Sequence, residues 1–96
     1  MEIKTFDTVW DAISDSHEEA ENMKIRSQLM VALNAWITKS GMSQAEVAQM
    51  LGISQPRVSE LVRGKIHLFS VDKLIAIMAH AGMYITHIEI SEPAVA

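Results

Sequence analysis

Residues 43–64 read SQAEVAQMLGISQPRVSELVRG, two short runs of patterned apolar residues on either side of one glycine. Ser43 has Glu46 three positions downstream. That spacing lets a serine hydroxyl and a glutamate carboxylate each accept the other's backbone N–H, so it predicts a helix from there to about Leu51. Gly52 supplies a sharp turn, because glycine enters the left-handed region without a Cβ penalty. Ser54 caps a second helix, Pro56 falls in its first turn where a missing N–H costs little, and the helix ends near Gly64. Two helices crossing closely need a small residue at the crossing, and Ala48 provides it. Val47 and Leu51 from the first run, with Ile53, Val58 and Leu61 from the second, form a shared apolar edge.

With that edge buried, the outward side of the second helix opens on Ser54, Gln55 and Arg57, which are polar and partly basic. A helix that hides one edge and shows hydrogen-bonding side chains on the other fits the major groove of DNA. The pattern therefore predicts a sequence-specific DNA reader rather than an enzyme. Gln44 opens the first helix, where free N–H groups favour a phosphate. Gln55 suits bidentate pairing with adenine and Arg57 with guanine. Ser59 faces the groove or the backbone. Glu60 either accepts from cytosine or pairs with Arg57 or Arg63. Arg63 and Lys65, at the helix end, are expected at phosphates. For each of these residues the plainer reading is a solvated polar side chain.

At 96 residues the chain is expected to form one compact domain with little surplus stability. No apolar run approaches the roughly 20 residues that span a bilayer. The opening MEIKTFDTVW is acidic and has no signal-peptide pattern, and cysteine is absent, so neither a disulfide framework nor a thiolate zinc site is expected. A cytoplasmic protein is the simplest expectation. The net charge of −4 argues against indiscriminate coating of DNA, but the charge is unevenly spread. Residues 1–22 hold seven acids and one base, while residues 23–96 hold seven bases and five acids, three of the bases clustering at Arg57, Arg63 and Lys65. Such asymmetry marks either separate partners or a solvated acidic helix face.

Outside the central motif, Phe6, Val9, Trp10 and Ile13 recur at helical spacing. They predict a short N-terminal helix, capped by Thr5 or Asp7 and ending at Ser14-Asp15-Ser16. Its stripe either anchors the helix to the body or docks a partner. A longer helix is expected from about Glu18 to Lys39, with Ile25, Leu29, Leu33 and Trp36 on one face and a stop at Gly41. The LMVAL run at 29–33 is apolar nearly all round, which implies burial on two sides, the second beneath the N-terminal helix. Ser70 caps a further helix with Leu74, Ile77, Met78 and Ala81 as its stripe and Gly82 as its stop. MYITHIEI at 83–90 is rich in β-branched residues and reads as a strand. A lone strand leaves its backbone groups unpaired. It pairs either with the N-terminal EIKTF stretch or with its own copy in a second chain. The copy is the expectation, with Tyr84, Ile85, Thr86, His87 and Ile88 at the interface of a two-fold dimer. SEPAVA is expected to fray.

SQAEVAQMLGISQPRVSELVRGK resembles the phage-repressor-like, or XRE-type, helix-turn-helix family over roughly residues 24–82. FDTVWDAI, EEAENMKIRSQLM and the terminal strand resemble its HigA-like antitoxin subgroup. The resemblance implies an all-α, lambda-repressor-like five-helix domain. It places Gln55, Arg57 and Ser59 at the groove, and Gln44 and Lys65 at phosphates. Pro56 stands where many phage repressors have a polar base-contacting residue, so its expected contact is a thymine methyl. The basic N-terminal arm of some relatives is missing. The subgroup implies a repressor of its own operon that neutralises a RelE-like ribonuclease toxin.

The chain is thus expected to comprise an acidic helical extension over 1–17, the DNA-binding domain over 18–82 and a dimerisation strand with its tail over 83–96. His17, His67, His80 and His87 are scattered and form no HxxxH pair, so no metal is expected. No phosphate-cradling glycine loop and no Ser–His–carboxylate arrangement is evident, so neither cofactor nor catalysis is expected. The expected partners are a palindromic DNA duplex, a second copy of the chain and a toxin protein. Two rival readings use the same fold: a phage or host regulator without a toxin, and a protein-interaction module that does not read DNA.

Overall fold

The computed structural model describes residues 2–93, with side chains described from Ser16 onward. The elements are α1 (Glu2–Ser40), α2 (Gln44–Leu51), α3 (Gln55–Val62), a 3-10 turn (Ile66–Leu68) and α4 (Val71–His80). α1 packs chiefly on α4, and α2 on α3.

One core joins all four helices. Leu33, Val47, Val58, Leu61 and Leu74 are completely buried, with Leu29, Met30, Ala48, Leu51, Ile77 and Met78 packed among them. Phe69, on the link between the 3-10 turn and α4, is among the largest fully buried side chains. Burying a side chain of this kind contributes about 1.5–3 kcal/mol, so the link is anchored as firmly as a helix.

The short helices begin as their sequences dictate. Ser43, Ser54 and Ser70 are N-caps whose hydroxyls accept from the N–H of Glu46, Arg57 and Lys73. At Ser43 the box is reciprocal: its own N–H donates to the Glu46 carboxylate at 2.8 Å. The stops at Gly41, Gly52, Gly64 and Gly82 all have positive φ. At the end of α4, Met83 N–H returns to the Met78 carbonyl at 3.0 Å, and the half-buried Met83 packs on the core.

Three expectations are corrected. The predicted break at Ser14–Ser16 does not occur: α1 is a single helix of 39 residues. The stretch 2–40 has no glycine or proline, and strong helix formers follow closely in Glu18-Glu19-Ala20-Glu21. Serine and aspartate cost only a few tenths of a kcal/mol each inside a helix, which is too little to interrupt it. The described residues therefore contain four α-helices rather than five.

The second correction follows from the first. A continuous α1 cannot fold back over its own middle, so the LMVAL run is buried on one side only. Leu29, Met30 and Leu33 are buried, whereas Val31 is 69% exposed. Ile25 is 40% exposed, and no described side chain from Ser16 to Gln28 is buried. Residues 16–28 of α1 therefore lie outside the buried core.

The third correction concerns residues 83–93, where no strand forms among the described residues. The EIKTF stretch lies within α1, so its backbone is helical rather than extended and offers no strand edge to pair with. The segment instead runs past α1, leaving a groove of about 980 Å³ bordered by Ile25, Leu29, Ile85 and Ile88. Among the described residues no helix is long and apolar enough to cross a membrane.

Candidate nucleic-acid interface

The α2–turn–α3 unit is built by short-range forces. Gly52 adopts φ 70° and ψ 31°, and its N–H donates to the Ala48 carbonyl. The Ile53 N–H reaches the same carbonyl at 3.1 Å. This turns the chain within three residues and brings Val58 and Leu61 down onto Val47, Ala48 and Leu51, all buried. Ile53 is half-buried against the same cluster.

The candidate contacts fall as follows. Gln44 is exposed at the first position of α2. Ser54, Gln55, Pro56 and Arg57 are exposed at the start of α3, and Ser54 also uses its hydroxyl oxygen to cap the helix, 3.3 Å from the Arg57 nitrogen. Ser59 and Glu60 are half-buried. Arg63 is the exposed C-cap residue, and Lys65 is half-buried just beyond Gly64. At about 100° per residue, Gln55 and Ser59 share one flank of α3, Arg57 lies on the other, and Pro56 and Arg63 stand outermost.

Of the two arginines expected beside Glu60, Arg57 is the one that pairs with it within the chain. The Glu60 carboxylate accepts from Arg57 Nη1 at 2.9 Å. The same Arg57 nitrogen is 3.4 Å from the Leu68 carbonyl, and the guanidinium lies 5.5 Å from the centre of the Phe69 ring.

Sequence reasoning missed the residues that hold α3 from behind. Asn34, from the middle of α1, donates through Nδ2 to the Leu61 carbonyl at 3.0 Å. Arg26, two turns earlier, donates to the Ile66 carbonyl at 3.4 Å. Phe69 was likewise not among the expected core residues. Each contact joins positions far apart in the chain, and the only local signal was a polar Asn34 within an otherwise apolar turn.

The C-terminal candidates do not join this surface. Tyr84, Ile85, Thr86, His87 and Ile88 are all exposed along the C-terminal segment. Phe6, Val9, Trp10 and Ile13 lie on the part of α1 whose side chains are outside the described residues. Among the described residues, no three His, Cys, Asp or Glu side chains gather as metal ligands.

A family model described as a helix-turn-helix domain matches residues 12–91, the greater part of the chain. Among solved structures, one described as a transcriptional regulator of the XRE family superposes with a TM-score of 0.71 at 34% sequence identity, covering 81% of this chain and 91% of that one. No curated protein sequence matches. With its capped α2, its glycine turn and an α3 whose polar residues stand over a buried apolar edge, the chain belongs to the XRE family of helix-turn-helix transcriptional regulators.

Proposed function

We propose that this XRE-family regulator binds a palindromic operator as a homodimer and represses the operon that encodes it, as the antitoxin of a HigBA-type module. The observation that carries the DNA-reading part is the α3 surface: exposed Ser54, Gln55, Pro56 and Arg57 above a completely buried Val58 and Leu61. On this reading Gln55, Arg57 and Ser59 meet base edges, Pro56 meets a thymine methyl, and Glu60 lies beside Arg57 at the groove. Gln44, Ser54, Arg63 and Lys65 meet the phosphate backbone.

The dimer reading assigns 83–96 to self-association. Tyr84, Ile88 and Ile90 are exposed by 78%, 71% and 86% along a segment whose backbone pairs with no strand among the described residues. Pairing with the same segment of a second copy satisfies those backbone groups and covers the apolar side chains. Two α3 helices related by that axis then enter successive major grooves, about one helical turn apart.

The toxin reading assigns residues 1–17, with the rest of the exposed start of α1, to a basic partner protein. Glu18, Glu19 and Glu21 are exposed on the part of α1 outside the buried core, continuing the acidic charge of the N-terminal segment. Opposite charge across an interface speeds encounter and fixes partner choice. The same acidic helix also favours the second reading, a protein-interaction module that leaves DNA unread.

Titration of DNA from upstream of its own gene, against scrambled DNA and across salt concentrations, separates the two. Tight, salt-sensitive binding with a large preference for the upstream sequence is expected. Equal, weak binding to both duplexes refutes the repressor reading. Converting Glu18, Glu19 and Glu21 to glutamine tests the partner surface, since toxin neutralisation is expected to weaken while operator binding persists.

A further inference from the structure

Arg57 is the basic residue closest to the start of α3, and it is already engaged within the chain. Its guanidinium meets the Glu60 carboxylate at 2.9 Å and the Leu68 carbonyl at 3.4 Å, and lies 5.5 Å from the Phe69 ring centre. One of these partners belongs to α3. The other two belong to the link that follows it. Phe69 is itself 1% exposed and cannot move without opening the core.

That link is turned by short-range backbone hydrogen bonds: the N–H groups of Gly64, Lys65, Ile66, Leu68 and Phe69 all donate to nearby carbonyls. Between Val62 and Val71 it contains one positive-φ glycine, Gly64, and one 3-10 turn. Side-chain donors tie it and the α3 C-terminus to the neighbouring helices: Asn34 at the Leu61 carbonyl, Arg26 at Ile66 and Arg57 at Leu68. Arg26 and Asn34 fasten α3 and its link to α1. Arg57 fastens α3 directly to the link.

We propose that Arg57 is a positioning residue that braces α3 against residues 66–69, and that hydrogen-bonded base discrimination falls on Gln55 and Ser59. The inference rests on the DNA-reading function proposed above, and it changes Arg57 from a base reader to a brace. Two physical reasons carry it. An exposed ion pair alone contributes little, but a planar guanidinium holding a carboxylate, a carbonyl and a ring face together is fixed in one geometry. To reach a guanine edge, Arg57 would also have to leave Glu60, exposing an uncompensated carboxylate to a surface lined with phosphates. Gln55 and Ser59 carry no such commitment and project from the opposite flank.

The test uses the full chain with Arg57→Ala, Arg57→Lys, Glu60→Ala and the double variant. Without DNA, amide hydrogen exchange over residues 64–69 is measured together with Tm. Arg57→Ala is expected to speed exchange there by about tenfold and to lower Tm by about 5 °C. Arg57→Lys is expected to do nearly the same despite keeping the charge, because a compact, strongly hydrated ammonium has no planar face to lay over the Phe69 ring while its donors hold Glu60 and Leu68. Adding Glu60→Ala to Arg57→Ala is expected to change little further, since the two act as one unit.

Both wild type and Arg57→Ala are then used to select sites from a random-sequence duplex library. The same consensus is expected from each, with weaker binding overall for the variant. Unchanged exchange over 64–69 overturns the proposal. So does a variant consensus that becomes degenerate at one base pair of each half-site, the signature of a lost base contact. If wild type itself selects no consensus, the DNA-reading function fails, and the brace stands or falls on the exchange measurement alone.

Discussion

Replacing Gly52 with alanine isolates the cost of the turn that makes the helix-turn-helix. Gly52 has φ 70°, and a Cβ placed on it would meet only the His80 ring, at 3.8 Å. That is an ordinary van der Waals distance, so the cost is conformational rather than steric. Holding a residue with a Cβ in the left-handed region costs roughly 1–2 kcal/mol. Alanine also restricts the unfolded chain, which returns about 0.4–1 kcal/mol. The expected net loss is about 1 kcal/mol, or a Tm drop of about 4–8 °C for a domain of this size. Asparagine tolerates the left-handed region better than alanine and is expected to cost less, whereas valine is expected to cost more. Thermal unfolding of the four proteins measures the series. A loss above about 3 kcal/mol for Gly52→Ala that disappears in a Gly52→Ala, His80→Ala double variant would show a clash with the ring and refute the conformational account. No loss at all would mean that the turn is not left-handed.

Three further predictions follow from local features. Ser43→Ala removes the hydroxyl that accepts from Glu46 and opens the capping box, so denaturant unfolding is expected to show a loss of about 1 kcal/mol. Val31→Lys is expected to change stability by less than about 0.5 kcal/mol, because Val31 is exposed on a continuous α1; a loss of several times that by the same measurement would mean that another element covers this side of the helix. Ile85→Pro removes a backbone donor from the proposed dimer strand. Sedimentation is expected to show a monomer that binds operator DNA much more weakly, and an unchanged dimer would place the interface elsewhere.

The helix-turn-helix was legible because its determinants lie within a few residues of one another. Ser43 and Glu46, Ser54 and the Arg57 nitrogen, and Gly52 and the Ala48 carbonyl are each three or four positions apart. Such pairs meet whenever the local backbone forms, whatever the rest of the chain does. The apolar edge of Val47, Leu51, Val58 and Leu61 was legible for the same reason, since helical periodicity decides which side each residue takes. The course of α1 was not. Whether a helix continues through Ser14-Asp15-Ser16 turns on a few tenths of a kcal/mol per residue, and a cap-like sequence there looks the same in either case. Misreading that point also placed a cover over Val31 that the fold does not supply.

The sequence by itself determined the short helices, their caps and turns, and the polar face that α3 presents, because these arise from interactions spanning one helical turn. Only the tertiary structure decided how α3 and the link after it are held in place. It also decided that residues 83–93 find no strand partner among the described residues. Those outcomes depend on side chains that meet across 11 residues, as Arg57 and Leu68 do, or across 40, as Arg26 and Ile66 do. No local pattern encodes such meetings, because they exist only once the core has brought the elements together.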